Sequence, residues 1–128
     1  MPACLYSFII EVDTKMHEYS ITESILSLAL EKANEAKAGR ITRVNLVLGE
    51  LSGVVGDCVR QYFEILGKDT IADSAVLSFE MKPTMLKCRQ CEREFSPADH
   101  DWVCPDCHEP NVEIISGREC YMESIEVE

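Results

Sequence analysis

The chain is short of positive charge: 12 Lys and Arg stand against 23 Asp and Glu, for a net charge of −11. Clustered cations are what grip a phosphate backbone, so this balance excludes nucleic acid as a natural partner and favours cations and basic protein surfaces. No uninterrupted apolar run approaches the roughly 20 residues that span a bilayer, so no membrane segment is expected. An apolar patch from Leu5 to Ile10 has no basic residue before it, and Glu11 and Asp13 follow at once. It lacks the form of a secretory signal, and a cytoplasmic protein is expected. Machinery for covalent chemistry is missing too. The glycines of Gly49 to Gly53 are not followed by Lys-Ser or Lys-Thr, which removes a phosphate loop. The three histidines, His17, His100 and His108, form no H-x-x-x-H pair and flank no candidate serine nucleophile, so no enzyme is expected. Internal repeats and low-complexity runs are absent.

What remains is an ordinary composition, 46% hydrophobic and 27% charged, in 128 residues. That length supports one main core with a small annex. Ser20-Ile21-Thr22-Glu23 has the form of a capping box, and Ile21, Ile25, Leu28 and Ala29 recur at helical spacing. A helix is therefore expected over about 20 to 38, stopped by Gly39 as a left-handed C′ residue. From Ile41 to Leu48 the period becomes two, with Val44, Leu46 and Leu48 on one face and Arg43 and Asn45 on the other, as in a strand covered on one side. The loop Gly49-Glu50-Leu51-Ser52-Gly53 follows. Val59, Tyr62, Phe63 and Leu66 mark a second amphipathic helix over Asp57 to Leu66, ended by Gly67. Val76 to Met81 reads as a strand closed by Pro83; Val112 to Ile115 and Cys120 to Val127 read as two more, hinged at Ser116-Gly117. The order predicts an α+β fold: a small mixed β-sheet with two helices packed on it, plus an inserted zinc-ribbon-like four-cysteine module.

Seven cysteines are present, and four of them fall in two tight pairs, Cys88-Arg89-Gln90-Cys91 and, after twelve residues, Cys104-Pro105-Asp106-Cys107. An odd count in a chain without a signal argues against a disulfide scaffold. Each C-x-x-C turns two sulfurs the same way, and two such loops facing each other supply the four thiolates of a closed structural Zn(II) site. A module of about 25 residues cannot bury enough apolar surface alone, so metal would supply the missing folding energy. Four unligated thiols, a redox dithiol at one pair and an iron tetrathiolate use the same residues. Cys104-x-x-Cys107-His108 also matches the attachment motif of c-type haem, a reading that orphans Cys88 and Cys91. From Met85 to Pro110 three basic residues meet six acidic ones, so the module offers no phosphate-binding face. Cys4, Cys58 and Cys120 lie in amphipathic elements and read as small buried hydrophobes.

The run Met16-His17-Glu18-Tyr19-Ser20, the loop Gly49-Glu50-Leu51-Ser52-Gly53-Val54, the paired C-x-x-C module and the closing Ser124-Ile125-Glu126-Val127 together resemble the HypA/HybF family of nickel-delivery accessory proteins. The resemblance runs from Met16 to the end. It implies a nickel metallochaperone for [NiFe] hydrogenase, and in some organisms urease, with Ni(II) as transient cargo. It further implies His17 as nickel ligand, Glu18 assisting, and Met16 contributing through its backbone; an imidazole beside backbone nitrogens is the nitrogen-rich set that Ni(II) favours. The implied partners are a HypB-type GTPase and the hydrogenase large subunit, with a homodimer left open. The implied organisation is a nickel-binding domain over 16–84 plus 117–128 and a zinc-binding module over 85–116. Residues 1–15 depart from the pattern. They are read first as an upstream start or an appended segment, with Met16 the natural terminus, and second as an added strand, since Leu5 to Val12 is β-prone. A zinc-ribbon protein adaptor without a nickel role is the alternative function.

Overall fold

The structure, a computed structural model, describes residues 4–11, 18–97 and 102–128. Its elements are β1 (Cys4–Glu11), α1 (Glu18–Glu35), β2 (Ile41–Gly49), α2 (Gly56–Leu66), β3 (Val76–Lys82), β4 (Met85–Cys88), β5 (Glu94–Phe95), β6 (Val112–Ser116) and β7 (Cys120–Val127). A four-stranded sheet in the order β1-β7-β2-β3 carries the two helices, and a three-stranded sheet, β5-β4-β6, carries the cysteines. Within the larger sheet β2 and β3 are parallel, joined through α2, while β7 runs antiparallel to both β2 and β1. The fold is thus the expected α+β class. No helix among the described residues is long and apolar enough to cross a membrane.

The period-two pattern of β2 has the consequence read from it. Val44, Leu46 and Leu48 are buried with Ile21, Ile25, Ala29, Phe63, Met122 and Ile125 in one core between sheet and helices. Each such side chain contributes roughly 1.5–3 kcal/mol on leaving water. On the other face the Arg43 guanidinium meets the Glu126 carboxylate at 3.1 Å, and the Asn45 amide donates to the Ser124 hydroxyl at 2.9 Å.

Both ends of α1 differ from expectation. The helix begins at Glu18 rather than Ser20, and within its first turn the Thr22 hydroxyl donates to the Glu18 carbonyl at 2.6 Å. Ser20 therefore sits inside the helix, not at its cap. At the far end the left-handed residue is Lys37, with φ of 57°, rather than Gly39. The Ala38 amide reaches back to the Ala33 carbonyl at 2.9 Å, the bond that closes a Schellman motif. Gly39 has another duty: its amide donates to the Glu128 carbonyl at 3.0 Å, tying the start of β2 to the end of β7. In α2, Val59 and Phe63 are buried as expected, but Tyr62 turns outward and meets the Tyr19 ring edge-on, 5.3 Å between centroids.

The segment Cys4–Glu11 is an added strand, paired from Cys4 opposite Val127 to Glu11 opposite Tyr121. The two short strands β4 and β5, with no periodicity to reveal them, were not expected from sequence.

The loop after β2 fixes how the two sheets join. A Cβ on Gly49 would lie 2.0 Å from the Gly117 carbonyl oxygen, so two backbones touch where only glycine fits. The Leu51 amide donates to that same carbonyl at 2.6 Å. One Glu50 carboxylate oxygen accepts from both the amide and the hydroxyl of buried Thr84, at 3.1 and 3.0 Å. Both chain crossings between the sheets, through Thr84 and through Gly117, are therefore held by one corner.

Gly49→Ala is expected to cost about 3 kcal/mol or more, the range of severe single substitutions, because the clash is with backbone. Gly53, with φ of +76° and no atom within 4 Å of its would-be Cβ, should cost only about 1–2 kcal/mol as alanine. Urea unfolding of both variants measures the difference, and equal costs would refute the close-approach explanation.

Candidate metal centre

Cys88 ends β4 and Cys91 closes the turn after it; Cys104 and Cys107 occupy the equivalent places in a second turn. The two turns repeat the same bonding. The Cys88 amide donates to the Arg93 carbonyl at 2.9 Å and the Glu92 amide to the Cys88 carbonyl at 2.9 Å; the Cys104 amide donates to the Glu109 carbonyl at 3.1 Å and the His108 amide to the Cys104 carbonyl at 2.9 Å. In each, the residue after the second cysteine is left-handed, Glu92 at φ 65° and His108 at φ 60°. This backbone reversal aims both sulfurs of a pair inward.

All four sulfurs lie within 4.8 Å of one another. Cys88 and Cys107 are 3.4 Å apart, Cys91 and Cys104 3.5 Å, and Cys91 and Cys107 3.8 Å. A disulfide needs about 2.05 Å, so these are free thiols. Sulfurs about 2.3 Å from a tetrahedral ion would be separated by about 3.8 Å, so the donor set fits such an ion. Cys88 and Cys104 are buried beside Leu86 and Phe95, a cluster against which Cys107, Val112 and Ile114 pack. That is a very small apolar core. The Arg93 guanidinium joins one turn to the other through the Asp106 carboxylate; the bond holds Asp106 below the usual carboxylate range. Both partners are exposed, so solvent screening leaves the pair a minor contribution to stability.

The electrostatics of the thiols point the same way. The amides of Cys91 and Gln90 hold the Cys88 thiol below its ordinary value, and those of Cys107 and Asp106 lower Cys104 to about 7. Cys91 and Cys107 move the other way. The amides of Arg93 and Glu109 favour their thiolates, but desolvation and the neighbouring sulfurs outweigh them, and Cys107 is pushed up to about 12. Four thiolates this close repel one another, and a bound cation is what allows all four to ionise together.

All four predicted cysteines are thus brought together. His108, which completed the haem-like motif, serves as a left-handed turn residue. Cys120 is buried in the main core and its thiol is pushed up to about 11 by burial, as for a small hydrophobe, while Cys58 is half-buried on α2. Met16 and His17 lie outside the described residues. Glu18 starts α1, where its carboxylate complements the helix dipole, and the Tyr19–Tyr62 pair pins that first turn against α2. Sequence reasoning missed the Glu50–Thr84 bond and the Arg93–Asp106 link; both join residues distant in sequence and carry no local signal.

A protein-family model described as hydrogenase/urease nickel incorporation, metallochaperone, hypA matches residues 16–127. The hydrogenase maturation factor HypA of Dehalococcoides mccartyi strain CBDB1 is 50% identical over 113 residues, covering 88% of this chain and 95% of that protein. The same factor from Caldanaerobacter subterraneus subsp. tengcongensis is 39% identical over 114 residues, 88% of this chain and 100% of that protein. The solution structure of the Ni metallochaperone HypA from Helicobacter pylori is similar with a TM-score of 0.61 at 32% identity, covering 88% of this chain and 97% of that one. A second HypA solution structure reaches a TM-score of 0.70 at 32% identity, with the same coverage.

Replacing Cys88 or Cys104 by Ser should lower bound metal from about one ion per chain to none and melt the small sheet, since little besides the ion orders it. The larger sheet should survive. Metal analysis by mass spectrometry with amide NMR checks both halves; wild-type metal content in Cys88→Ser would sink the assignment.

Proposed function

The chain belongs to the HypA family of hydrogenase and urease nickel-incorporation metallochaperones, and on that premise we propose that it binds Ni(II) as cargo at His17 and hands it to a maturing [NiFe] hydrogenase. As a member of a metallochaperone family it is a maturation factor, not an enzyme. The observation that carries the nickel reading is that the family match starts at Met16, on the run Met16-His17-Glu18. In this reading the His17 imidazole and the Met16 backbone nitrogen are ligands and Glu18 assists from the first turn of α1. Because residues precede Met16, its nitrogen is an amide rather than a free amine. Nitrogen donors of this kind suit tetragonal Ni(II), while a thiolate cage suits tetrahedral zinc, so the two metals sort by ligand chemistry.

We assign Cys88, Cys91, Cys104 and Cys107 to a resident Zn(II). Bound there, zinc would supply folding energy and rigidity; with four protein donors it keeps no open position for a substrate. Residues 85–116 form the zinc module in this scheme, and 16–84 with 117–128 the nickel-binding domain. The −11 charge favours encounter with a basic face on a HypB-type GTPase, and the hydrogenase large subunit is the recipient, with urease a second one. Reduced thiols at Cys88 to Cys107 support a cytoplasmic setting.

His17→Ala should abolish the tight nickel site and leave zinc in place. Protonated imidazole cannot ligate, so nickel should be released as pH falls and the proton displaces the metal. Glu18→Gln should keep part of the binding. Titration calorimetry that finds unchanged nickel stoichiometry and affinity in His17→Ala would refute the site and favour a zinc-ribbon adaptor. Association with the GTPase should slow as salt rises; stopped-flow rates that stay flat with ionic strength would remove the electrostatic part.

A further inference from the structure

The helices pack on the face of the larger sheet that carries Val44, Leu46 and Met122, and the strand register sets rows of side chains across the opposite face. Leu5, Glu126, Arg43 and Val76 stand side by side on β1, β7, β2 and β3. Further along the strands, Tyr121, Val47 and Glu80 form a second row. The row between them is Ser7, Ser124, Asn45 and Ser78, all short side chains. Low residues between taller ones make a trench that crosses the strands. A depression of about 360 Å³ opens there, with Asn45, Ser78, Glu80, Glu123 and Ser124 in its lining. Glu123 reaches it through a bulge: β7 passes from Ser124 to Met122 where β2 passes only from Asn45 to Leu46, and the extra residue is turned to this face.

We infer that this face docks a basic amphipathic helix of a partner protein, laid in the trench across the strands. At about 3.3 Å per residue, Arg43 and Val47 lie roughly 13 Å apart along β2. A helix with its side chains is about 10–12 Å across, so it fits between the two rows. Three strand gaps of about 4.8 Å give the trench a length of roughly 14 Å, the span of nine or ten helical residues. The floor is ready to be covered, because the Asn45 amide already donates to the Ser124 hydroxyl at 2.9 Å and neither group is stripped of a partner by an apolar neighbour. Leu5 and Val76, 61% and 51% exposed, offer apolar contact at the two ends of one wall.

Charge decides what kind of helix lies there. Arg43 is neutralised by Glu126 at 3.1 Å, and Lys82 stands beyond the second row, opposite Gly49. Glu80 and Glu123 line the depression and enter no ion pair among the described residues. They are complementary to lysine or arginine on the docked helix. A second copy of the chain is the wrong occupant, since two chains of net charge −11 repel. Parallel pairs such as β2 and β3 are as a rule covered on both faces, and here α1 and α2 cover one. The contact is smaller than a standard interface, so a single helix binds in the micromolar range or more weakly. The inference rests on the register and charge of the sheet and not on either metal.

NMR titration of the full zinc-loaded chain with a synthetic helix of about 15 residues, leucine on one face and lysine on the other, tests it. The same peptide with glutamate for lysine is the control. The lysine peptide should move the Asn45 side-chain amide and the methyl signals of Leu5 and Val76, and leave those of Ile65 on α2 and Ile115 on β6 in place. Glu80→Lys and Glu123→Lys should each weaken binding about tenfold, whereas Glu31→Lys, the same charge change on the outer side of α1, should weaken it less than about twofold. Ser78→Phe adds no charge but raises the floor, and should also cost about tenfold. All four positions are exposed or half-buried, so thermal melts should match wild type. Shifts centred on Ile65 or Ile115, a glutamate peptide that binds as well as the lysine one, or equal losses in Glu31→Lys and Glu80→Lys would overturn the docking face. Undiminished binding in Ser78→Phe would overturn the trench.

Discussion

The arrangement of the molecule depends on a contact between two stretches of backbone. Where β2 ends, Gly49 lies against Gly117 so closely that no side chain fits between them. A packed core tolerates small errors of shape by rotamer changes, but a backbone-to-backbone contact has no such freedom. The contact therefore fixes where the small sheet emerges from the large one. Glu50 reinforces it by accepting two hydrogen bonds from Thr84, whose amide and hydroxyl would otherwise be buried without partners at considerable cost. The cysteine cluster is held at a set place relative to the helices by a glycine pair and one carboxylate rather than by an extended interface.

This economy suits a carrier. Among the described residues the donor set is made of thiols supported by a small apolar cluster, and the run Met16-His17-Glu18 is separate from it in sequence. Closed sites hold metal; open nitrogen sites exchange it. In the proposed scheme, a permanent ion at the thiols would build the structure while a transient one passed through the nitrogen donors, without either competing for the other's ligands.

Much of the larger sheet was legible because its signals are local. The alternation of β2 and the helical spacing around Phe63 report which face meets the core, and the two C-x-x-C pairs report their own convergence. The ends of α1 were misread for an instructive reason. The Ser20 capping box and Gly39 are good start and stop signals in isolation, yet α1 already begins at Glu18, whose carbonyl accepts from the Thr22 hydroxyl, while Lys37 takes the left-handed turn two residues before Gly39. A lysine there costs about 1–2 kcal/mol, which the Schellman bond and the tie from Gly39 to Glu128 can offset. The strands β4 and β5 are too short to show a period, and the Glu50–Thr84 bond spans 34 positions. Non-local features of this sort leave no trace in a window of a dozen residues.

One consequence follows from the pairing of β1 with β7. β7 has a hydrogen-bonded neighbour on each side, β1 on one and β2 on the other. The strand that ends at Val127 is therefore an interior strand of its sheet, its backbone groups taken up on both sides and not offered as a template for further pairing.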